Sequence, residues 1–308
     1  MAGRKPKDSK TQDRSLPRLA VDLAVRGMIG AVRLLPYRAR IATMGWLTAR
    51  VIAPLAGWGK RVRGNLAHTT PDLPEAEIRR LIRRVPDNFG RALMEIYSAP
   101  EFIARVRDLT PTGAGVEALR EARDSGRPVI LVTGHFGNYD APRAWLIAHG
   151  YKVGGLYNPM RNAWFNDHYV AAISGIGTPV FPRSRKGMAE MIRFLKSGGM
   201  VGMVIDQYMS HGELLDFLGQ PAPTALSAAE LALKYDALLV PIYGIRQPDG
   251  LGFDIRIEPP IPASDPVTMT QALNDSLTAL VRDHMDQWFW IHRRWKPERH
   301  QQVTKPGA

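Results

Sequence analysis

The chain has 308 residues, of which 45% are hydrophobic, so it is long enough for one large domain or two domains with a sizeable core. It contains no cysteine, which excludes disulfides and thiolate metal sites, and no secretory signal is visible in it. The formal net charge of +12 indicates an anionic partner, such as nucleic acid, acidic lipid or an acidic carrier protein.

The N-terminal region combines basic and apolar segments. Residues 1–18 are polar and basic and predict a disordered arm. Residues 19–35 are apolar except for a narrow polar stripe that includes Asp22 and Arg26, which is the pattern of a helix lying in a membrane interface rather than crossing the bilayer. The alternative is that this segment is the buried first helix of a globular domain.

The segment that follows extends this hydrophobic region. Trp46 and Trp58 suit the boundary between bilayer and water, so we expect residues 19–98 to form a membrane-associated helical region. Residues 75–97 within it predict an arginine-rich helix that is interrupted at Pro86.

Beyond residue 98 the pattern alternates between short β-branched runs and amphipathic segments. It predicts a mostly parallel mixed sheet covered by helices on both faces, that is, an α/β domain over residues 99–297, followed by a flexible tail at 298–308. The predicted strands are 128–133, 151–157, 178–181, 200–205, 238–246 and 251–258. The predicted helices are 114–124, 139–149, 162–174, 186–197, 225–235 and 267–288.

The first predicted strand leads into the sequence Thr-Gly-His135-Phe-Gly-Asn-Tyr-Asp140. Ligands bind open α/β sheets at the turns that follow strands, and a histidine there can act as a general base. A carboxylate within reach fixes the tautomer of such a histidine, and Asp140 is close enough if the turn is helical. We therefore predict His135 and Asp140 as a catalytic pair. The alternative is a capped helix start with an exposed His and Asp.

Three further segments follow strands and should lie along the same edge of the sheet. Arginines in two of them could bind a phosphate or a carboxylate, and a carboxylate in the third could orient an arginine or the acceptor. The predicted substrate-binding residues are Asn158, Arg161, Arg183, Arg185, Asp206 and Gln207. The alternative for the arginines is a basic loop on a basic protein, and for Asp206 a helix cap.

Several common motifs are absent. The sequence has no glycine-rich nucleotide loop, no His-Glu-x-x-His and no Gly-x-Ser-x-Gly, so we expect neither a cofactor nor a metal. The remaining features favour a transferase that acts on an acidic substrate. A basic membrane-surface or nucleic-acid-binding protein without catalysis is the rival class, and a thioesterase is a third interpretation.

In their order along the chain, these segments resemble the late (lauroyl/myristoyl) acyltransferases of bacterial lipid A biosynthesis, which belong to the lysophospholipid acyltransferase-like superfamily. The resemblance extends from about residue 19 to residue 297, and the segment Gln287-Trp-Phe-Trp-Ile-His-Arg-Arg-Trp-Lys296 is its most specific part. The His-x4-Asp box by itself is shared with glycerolipid acyltransferases.

The resemblance implies an enzyme at the cytoplasmic face of the bacterial inner membrane. It would transfer a fatty acyl chain from acyl carrier protein to a hydroxyl of a phosphorylated lipid A precursor, with His135 as base, Asp140 as its partner and no nucleic acid involved. The sequence departs from the family pattern at Asn158, where arginine is usual, and at Ala163, where proline is common. Arg161 could supply the missing charge, or the acceptor could be an aminolipid or a lysophospholipid.

Overall fold

The computed structural model of the protein describes residues 12–296. The elements of its N-terminal part are all helices. They are α1 (Leu16–Arg33), α2 (Tyr37–Leu47), a π-helical turn (Thr48–Ile52), α3 (Ala53–Leu55), α4 (Trp58–Thr69), α5 (Glu75–Ile96) and α6 (Ala99–Arg107).

Strands and helices then alternate, as the sequence predicts. The strands are β1 (Val129–Thr133), β2 (Val153–Tyr157), β3 (Val180–Pro182), β4 (Met200–Val204), β5 (Glu213–Phe217), β6 (Gln220–Thr224), β7 (Leu238–Arg246) and β8 (Phe253–Ile257). The helices are α7 (Gly115–Ser125), α8 (Asp140–Ala148), α9 (Ala163–Ile176), α10 (Arg185–Lys196), α11 (Ser227–Lys234) and α12 (Pro266–Asp283).

Six strands form one sheet in the order β3-β2-β4-β1-β7-β8, which confirms the predicted α/β class. All neighbours in the sheet are parallel except β7 and β8. Strand β1 lies between β4 and β7, with Thr133 opposite Val204 at the end of the β1–β4 register. The carboxyl ends of β1 and β4 therefore meet side by side.

Helices cover both faces of the sheet because its central strand is apolar on both sides. Val129 and Leu131 of β1 pack with residues of α7 and α8. Ile130 and Val132 pack on the opposite face with residues of α10, α11 and α12. The chain leaves β1 toward α8 on one face and leaves β4 toward α11 on the other. This reversal makes the crevice between the two strands the expected ligand site.

The structure corrects three predictions of local structure. Helix α5 continues through Pro86, which is buried within it, so the predicted interruption is wrong. Helix α12 ends at Asp283, and the residues after it form turns rather than the predicted last helical turn. The antiparallel hairpin β5–β6 was not predicted, because Pro221 and Pro223 alternate in β6 and proline is unusual in strands.

Helix α1 begins at Leu16 and so includes the end of the predicted arm. Residues 12–15 are also ordered, since the N–H of Asp13 donates to the backbone oxygen of Arg161 at 2.8 Å and Arg14 pairs with Asp167 at 2.7 Å, so the prediction of a disordered arm is wrong for residues 12–18. Residues 1–11 and the predicted tail lie outside the described residues.

The face of α1 that packs on the protein combines Asp22, which is 1% exposed, with the buried Ile29 and Val32, while Leu23 is 58% exposed. Trp46 is exposed, whereas Trp58 packs against Phe89 and Phe289. Within residues 12–296, no helix has both the length and the hydropathy needed to cross a membrane.

Candidate active site

The structure places His135 and Asp206 together at the carboxyl ends of β1 and β4. Nδ1 of His135 lies 2.7 Å from Oδ1 of Asp206, and the backbone N–H of His135 donates to Oδ2 of the same carboxylate at 2.7 Å. Because an ionised carboxylate only accepts hydrogen bonds, the proton of neutral His135 resides on Nδ1. The lone pair of Nε2 is then directed away from Asp206 and is available to take a proton.

Asp206 is a buried carboxylate with three hydrogen-bond donors. Its side chain is fully buried, and the indole N–H of Trp288 donates to Oδ2 at 2.8 Å. Burial acts to raise the pKa of Asp206, but the charge of protonated His135 and the hydrogen bonds from His135 outweigh it and lower the pKa below its usual value. The carboxylate stays ionised and can stabilise a protonated His135.

Asp140 occupies a different position from the one predicted. It is 5% exposed, and its Oδ1 accepts from Arg143 at 3.0 Å. Arg143 also donates to the backbone oxygens of Ile173 and Gly177, which ties α8 to α9. No hydrogen bond or ion pair joins Asp140 to His135 in the described part of the chain. The prediction that Asp140 orients His135 is therefore wrong, because residues 135–139 are not helical and α8 begins only at Asp140.

The turn after β1 has its own framework. Gly137 has a φ of 53°, and a Cβ there would lie 1.9 Å from the backbone oxygen of Gly244, so only glycine fits. The segment after α12 pairs with this turn, because the N–H of Phe289 donates to the backbone oxygen of His135 and the N–H of Gly137 to that of Gln287. The conformation of this segment therefore places Trp288 beside Asp206.

A buried polar network supports the same turn from the side of α5. Glu95 is fully buried and pairs with Arg246, whose Nη2 donates to Oε2 at 2.7 Å. Asn138 donates to Glu95, and Asn88 donates to the backbone oxygen of Gly137 and accepts from Arg246 Nε. Since every member has partners, this network makes the backbone around His135 rigid.

A second imidazole faces His135. The ring centroids of His135 and His292 are 4.5 Å apart and the rings are nearly perpendicular. Burial lowers the pKa of His292 to about 3, helped by the positive charge that His135 can carry, so this ring is neutral near pH 7. Its Nε2 is buried without a hydrogen-bond partner among the described residues. His292 therefore presents a neutral polar atom beside the base.

Gln207 also reaches the base. Its side-chain nitrogen lies 3.4 Å from Nε2 of His135, and its backbone oxygen is 3.5 Å from Nη1 of Arg294. Arg294 is fully buried and donates to Thr224 Oγ1 at 2.5 Å and to the backbone oxygen of Pro223, so the unpredicted hairpin holds the loop after β4 in place. Sequence reasoning gave no role to Trp288, His292 or Arg294.

The predicted anion-binding residues lie on the same edge of the sheet but away from His135. Asn158 and Arg161 follow β2, and Arg183 and Arg185 lie just after β3; all four are exposed. Strand spacing puts β2 roughly 10 Å and β3 roughly 14 Å from β1. These four residues form no hydrogen bond or ion pair with His135 or Asp206 within residues 12–296. In the described part of the chain, no group of three His, Asp or Glu side chains could hold a metal ion.

An imidazole oriented by a buried carboxylate, with its other nitrogen open at a sheet crevice, can remove a proton from a hydroxyl and return it to a leaving group. This arrangement is compatible with acyl transfer, among other reactions that need a general base. The chain matches the bacterial lipid A biosynthesis acyltransferases over residues 8–297, and it belongs to that family. The match supports acyltransferase activity.

Individual relatives are distant but cover most of the chain. The chain is 26% identical to the lipid A biosynthesis lauroyltransferase of Escherichia coli (strain K12), over 77% of this chain and 78% of that protein. It is 24% identical to lipid A biosynthesis acyltransferase 2 of Shigella flexneri, over 87% of each. It is 22% identical to the phosphatidylinositol mannoside acyltransferase of Mycolicibacterium smegmatis (strain ATCC 700084 / mc(2)155), over 78% of this chain and 80% of that protein.

Proposed function

We propose that this protein is an O-acyltransferase that moves a fatty acyl chain from the thioester of acyl carrier protein to a hydroxyl of a phosphorylated lipid A precursor. The observation that carries the proposal is the hydrogen bond between His135 Nδ1 and Asp206, which leaves the lone pair of Nε2 facing the Gln207 amide at 3.4 Å. Membership in the lipid A acyltransferase family supports the reaction class. The basic charge of the chain suits both an acidic carrier protein and a phosphorylated acceptor.

The chemistry needs one proton carried from the acceptor to the leaving group. His135 Nε2 takes the hydroxyl proton as the alkoxide oxygen attacks the thioester carbonyl, and Asp206 stabilises the resulting imidazolium. The C–S bond then breaks, the proton returns from Nε2 to the thiolate, and the ester and the free thiol leave. The side-chain amide of Gln207 and the neutral ring of His292 are placed to contact the acceptor hydroxyl or the carbonyl oxygen.

The acceptor would extend along the sheet edge. Arg161, Arg183 and Arg185 are exposed cations that suit phosphate groups on a sugar headgroup, and Asn158 replaces an arginine that is usual in the family. A second acceptor class has specific support, since one relative acts in phosphatidylinositol mannoside acylation. A different phosphorylated glycolipid, an aminolipid or a lysophospholipid is therefore the alternative acceptor.

We also propose that α1 associates with the cytoplasmic face of the inner membrane. The ion pair between Asp22 and Arg26 faces α9, and Ile29 and Val32 are buried, yet several apolar side chains of the helix face outward. Leu16 is 79% exposed and Leu34 is 87% exposed. An outward apolar helix face is typical of a helix bound in a lipid interface.

Two measurements test the function. The purified enzyme should transfer acyl chains from acyl carrier protein to a lipid A precursor, and His135→Ala should lower the rate by about 10²–10⁴ while the protein still folds. Lipid mass spectrometry of a deletion strain should show a lipid A species that lacks one acyl chain. Normal lipid A with an altered mannoside, aminolipid or phospholipid would move the acceptor to the alternative class. Hydrolysis of the thioester at the same rate without acceptor would indicate a thioesterase.

A further inference from the structure

A groove of about 480 Å³ lies between α2 with its following π-helical turn and the first turns of α5. It is distinct from the crevice that holds His135, and neither the sequence motifs nor the comparisons give it a role. Its lining holds five guanidinium groups, one exposed indole and the carboxylate of Asp87, which pairs with Arg91 outside the groove lining at 2.6 Å. The lining residues used below are Trp46, Arg50, Arg79, Arg80, Arg83 and Arg84.

The fold holds the walls of this groove in a fixed position. A Cβ on Gly90 of α5 would lie 2.6 Å from the backbone oxygen of Met44 in α2, and a Cβ on Gly45 would lie 2.7 Å from Oδ1 of Asp87. The two glycines therefore let the helices pack with their backbones in close approach. Four arginines recur on α5 at spacings of one and three residues, so they project from one side of the helix toward the groove.

Charge in the groove is only partly compensated. Arg80 pairs with Glu77 and with Asp286, and Arg84 pairs with Asp286 as well. Arg50 and Arg83 are exposed and form no ion pair or hydrogen bond within residues 12–296. An anion that enters the groove therefore meets two guanidinium groups that no carboxylate neutralises.

The surroundings of the groove indicate which anion it takes. Trp46 is 57% exposed, and Leu55, just beyond the π-helical turn, is 84% exposed. Exposed Trp and Leu next to arginine are typical of the boundary between lipid headgroups and acyl chains, where the ring and aliphatic groups enter the lipid and the cations contact phosphate.

We propose that this groove binds the headgroup phosphate of an anionic phospholipid and so docks the protein on a negatively charged membrane surface through Arg50 and Arg83. The proposal rests on the proposed function, because an enzyme with a lipid acceptor works at a membrane surface. It adds a lipid-binding site that is separate from the acceptor site and does not take part in acyl transfer.

The test is co-sedimentation of the full-length protein with phosphatidylcholine vesicles that either contain or lack phosphatidylglycerol. The wild type should bind the anionic vesicles more tightly, and this preference should decrease as salt increases. The double variant Arg50→Gln/Arg83→Gln should lose about 30-fold in affinity for anionic vesicles, since each basic residue near such a surface contributes roughly a fivefold factor. Its binding to neutral vesicles should not change.

The matched control is Arg193→Gln/Lys196→Gln, which removes the same charge from exposed positions on α10. It should bind anionic vesicles with the affinity of the wild type. Thermal unfolding followed by circular dichroism should give both double variants the same melting temperature as the wild type. Equal affinity of the two double variants would contradict the proposal. A loss of affinity for acyl carrier protein with vesicle binding unchanged would also overturn it and make the groove a protein-docking surface. The assay contains no acyl donor, so its outcome is independent of whether acyl transfer occurs.

Discussion

The end of β4 and the start of α8 each bury one carboxylate, and the two have opposite characters. Asp206 is 1% exposed and pairs with His135 at 2.7 Å, whereas Asp140 is 5% exposed and pairs with Arg143 at 3.0 Å. Arginine stays charged at all relevant pH values, so the pair in α8 is static and joins two helices. An imidazole can take up a proton and give it back, so the pair at β4 can take part in a reaction.

The carboxylate nearest to His135 in sequence is therefore not the carboxylate that contacts its ring. Asp140 is five residues from His135, while Asp206 is 71 residues away on the neighbouring parallel strand. Each carboxylate can be altered by the same isosteric change from aspartate to asparagine. We expect the change at Asp206 to lower activity and the change at Asp140 to lower stability, which separates a catalytic role from a structural one.

The largest effect is expected for Asp206→Asn. Oδ2 of Asp206 accepts hydrogen bonds from the His135 backbone and from Trp288, so the carbonyl oxygen of asparagine must take that position. Its NH₂ group then faces Nδ1, which forces the proton of His135 onto Nε2 and removes the base. Acyl transfer per folded enzyme should decrease by about 10²–10⁴. Activity within about tenfold of the wild type would show that Asp206 does not orient His135.

Asp140→Asn should act on stability instead. It leaves the buried charge of Arg143 without a counterion, and loss of one partner of a buried pair costs about 3–5 kcal/mol. Urea denaturation should show this loss, while the turnover of the folded fraction stays within about tenfold of the wild type. The exposed carboxylate of Asp124 provides a matched control, because Asp124→Asn should leave stability unchanged. A specific loss of turnover with normal stability would restore Asp140 as a catalytic residue.

Trp288→Phe should have an intermediate effect. The change removes the indole N–H that donates to Asp206 at 2.8 Å but keeps an aromatic ring in the core. A hydrogen bond to a charged group contributes about 1.5–3 kcal/mol, so activity should decrease by about 10- to 100-fold. Trp290→Phe is the matched control, since this buried indole donates to the backbone oxygen of Met285 and not to Asp206. Equal losses in the two variants would indicate a packing effect only.

The smallest effect concerns the pH dependence of stability. Burial lowers the pKa of His292 from its usual value of 6.5 to about 3, so the unfolded chain binds a proton between these pH values that the folded chain does not. Unfolding therefore takes up a proton, and the free energy of unfolding decreases as pH falls through this window. His292→Phe should reduce the slope near pH 5 by nearly one proton, whereas changing the exposed His211 to Phe should not. An unchanged slope would mean that His292 is protonated in the folded state.

Much of the fold could be predicted from sequence because its signals are local. All six strands of the main sheet were located from short apolar runs, and the same runs gave the two-sided α/β arrangement. The end of α12 and the hairpin β5–β6 could not be predicted, because both depend on distant partners. The segment after α12 is positioned by the hydrogen bond from Trp288 to Asp206. The hairpin is positioned by the hydrogen bond from Arg294 to the backbone oxygen of Pro223.

The candidate site was only half predictable for the same reason. His135 follows from the position of a histidine at a strand end. Its partner could not be derived from spacing, since Gly137 has a positive φ and the segment is not helical, so four intervening residues do not place Asp140 near the ring. Asp206 was predicted on the same sheet edge, but its contact with His135 depends on strand order. The C-terminal aromatic segment was recognised as specific without any role for His292.

The most direct test of the central claim is the tautomer of His135, measured by ¹⁵N nuclear magnetic resonance on histidine-labelled enzyme with the His135 signal assigned by its absence in His135→Ala. The account predicts a neutral ring protonated on Nδ1 in the wild type and in Asp140→Asn. It predicts a ring protonated on Nε2 in Asp206→Asn. A tautomer that changes in Asp140→Asn and stays the same in Asp206→Asn would contradict the account.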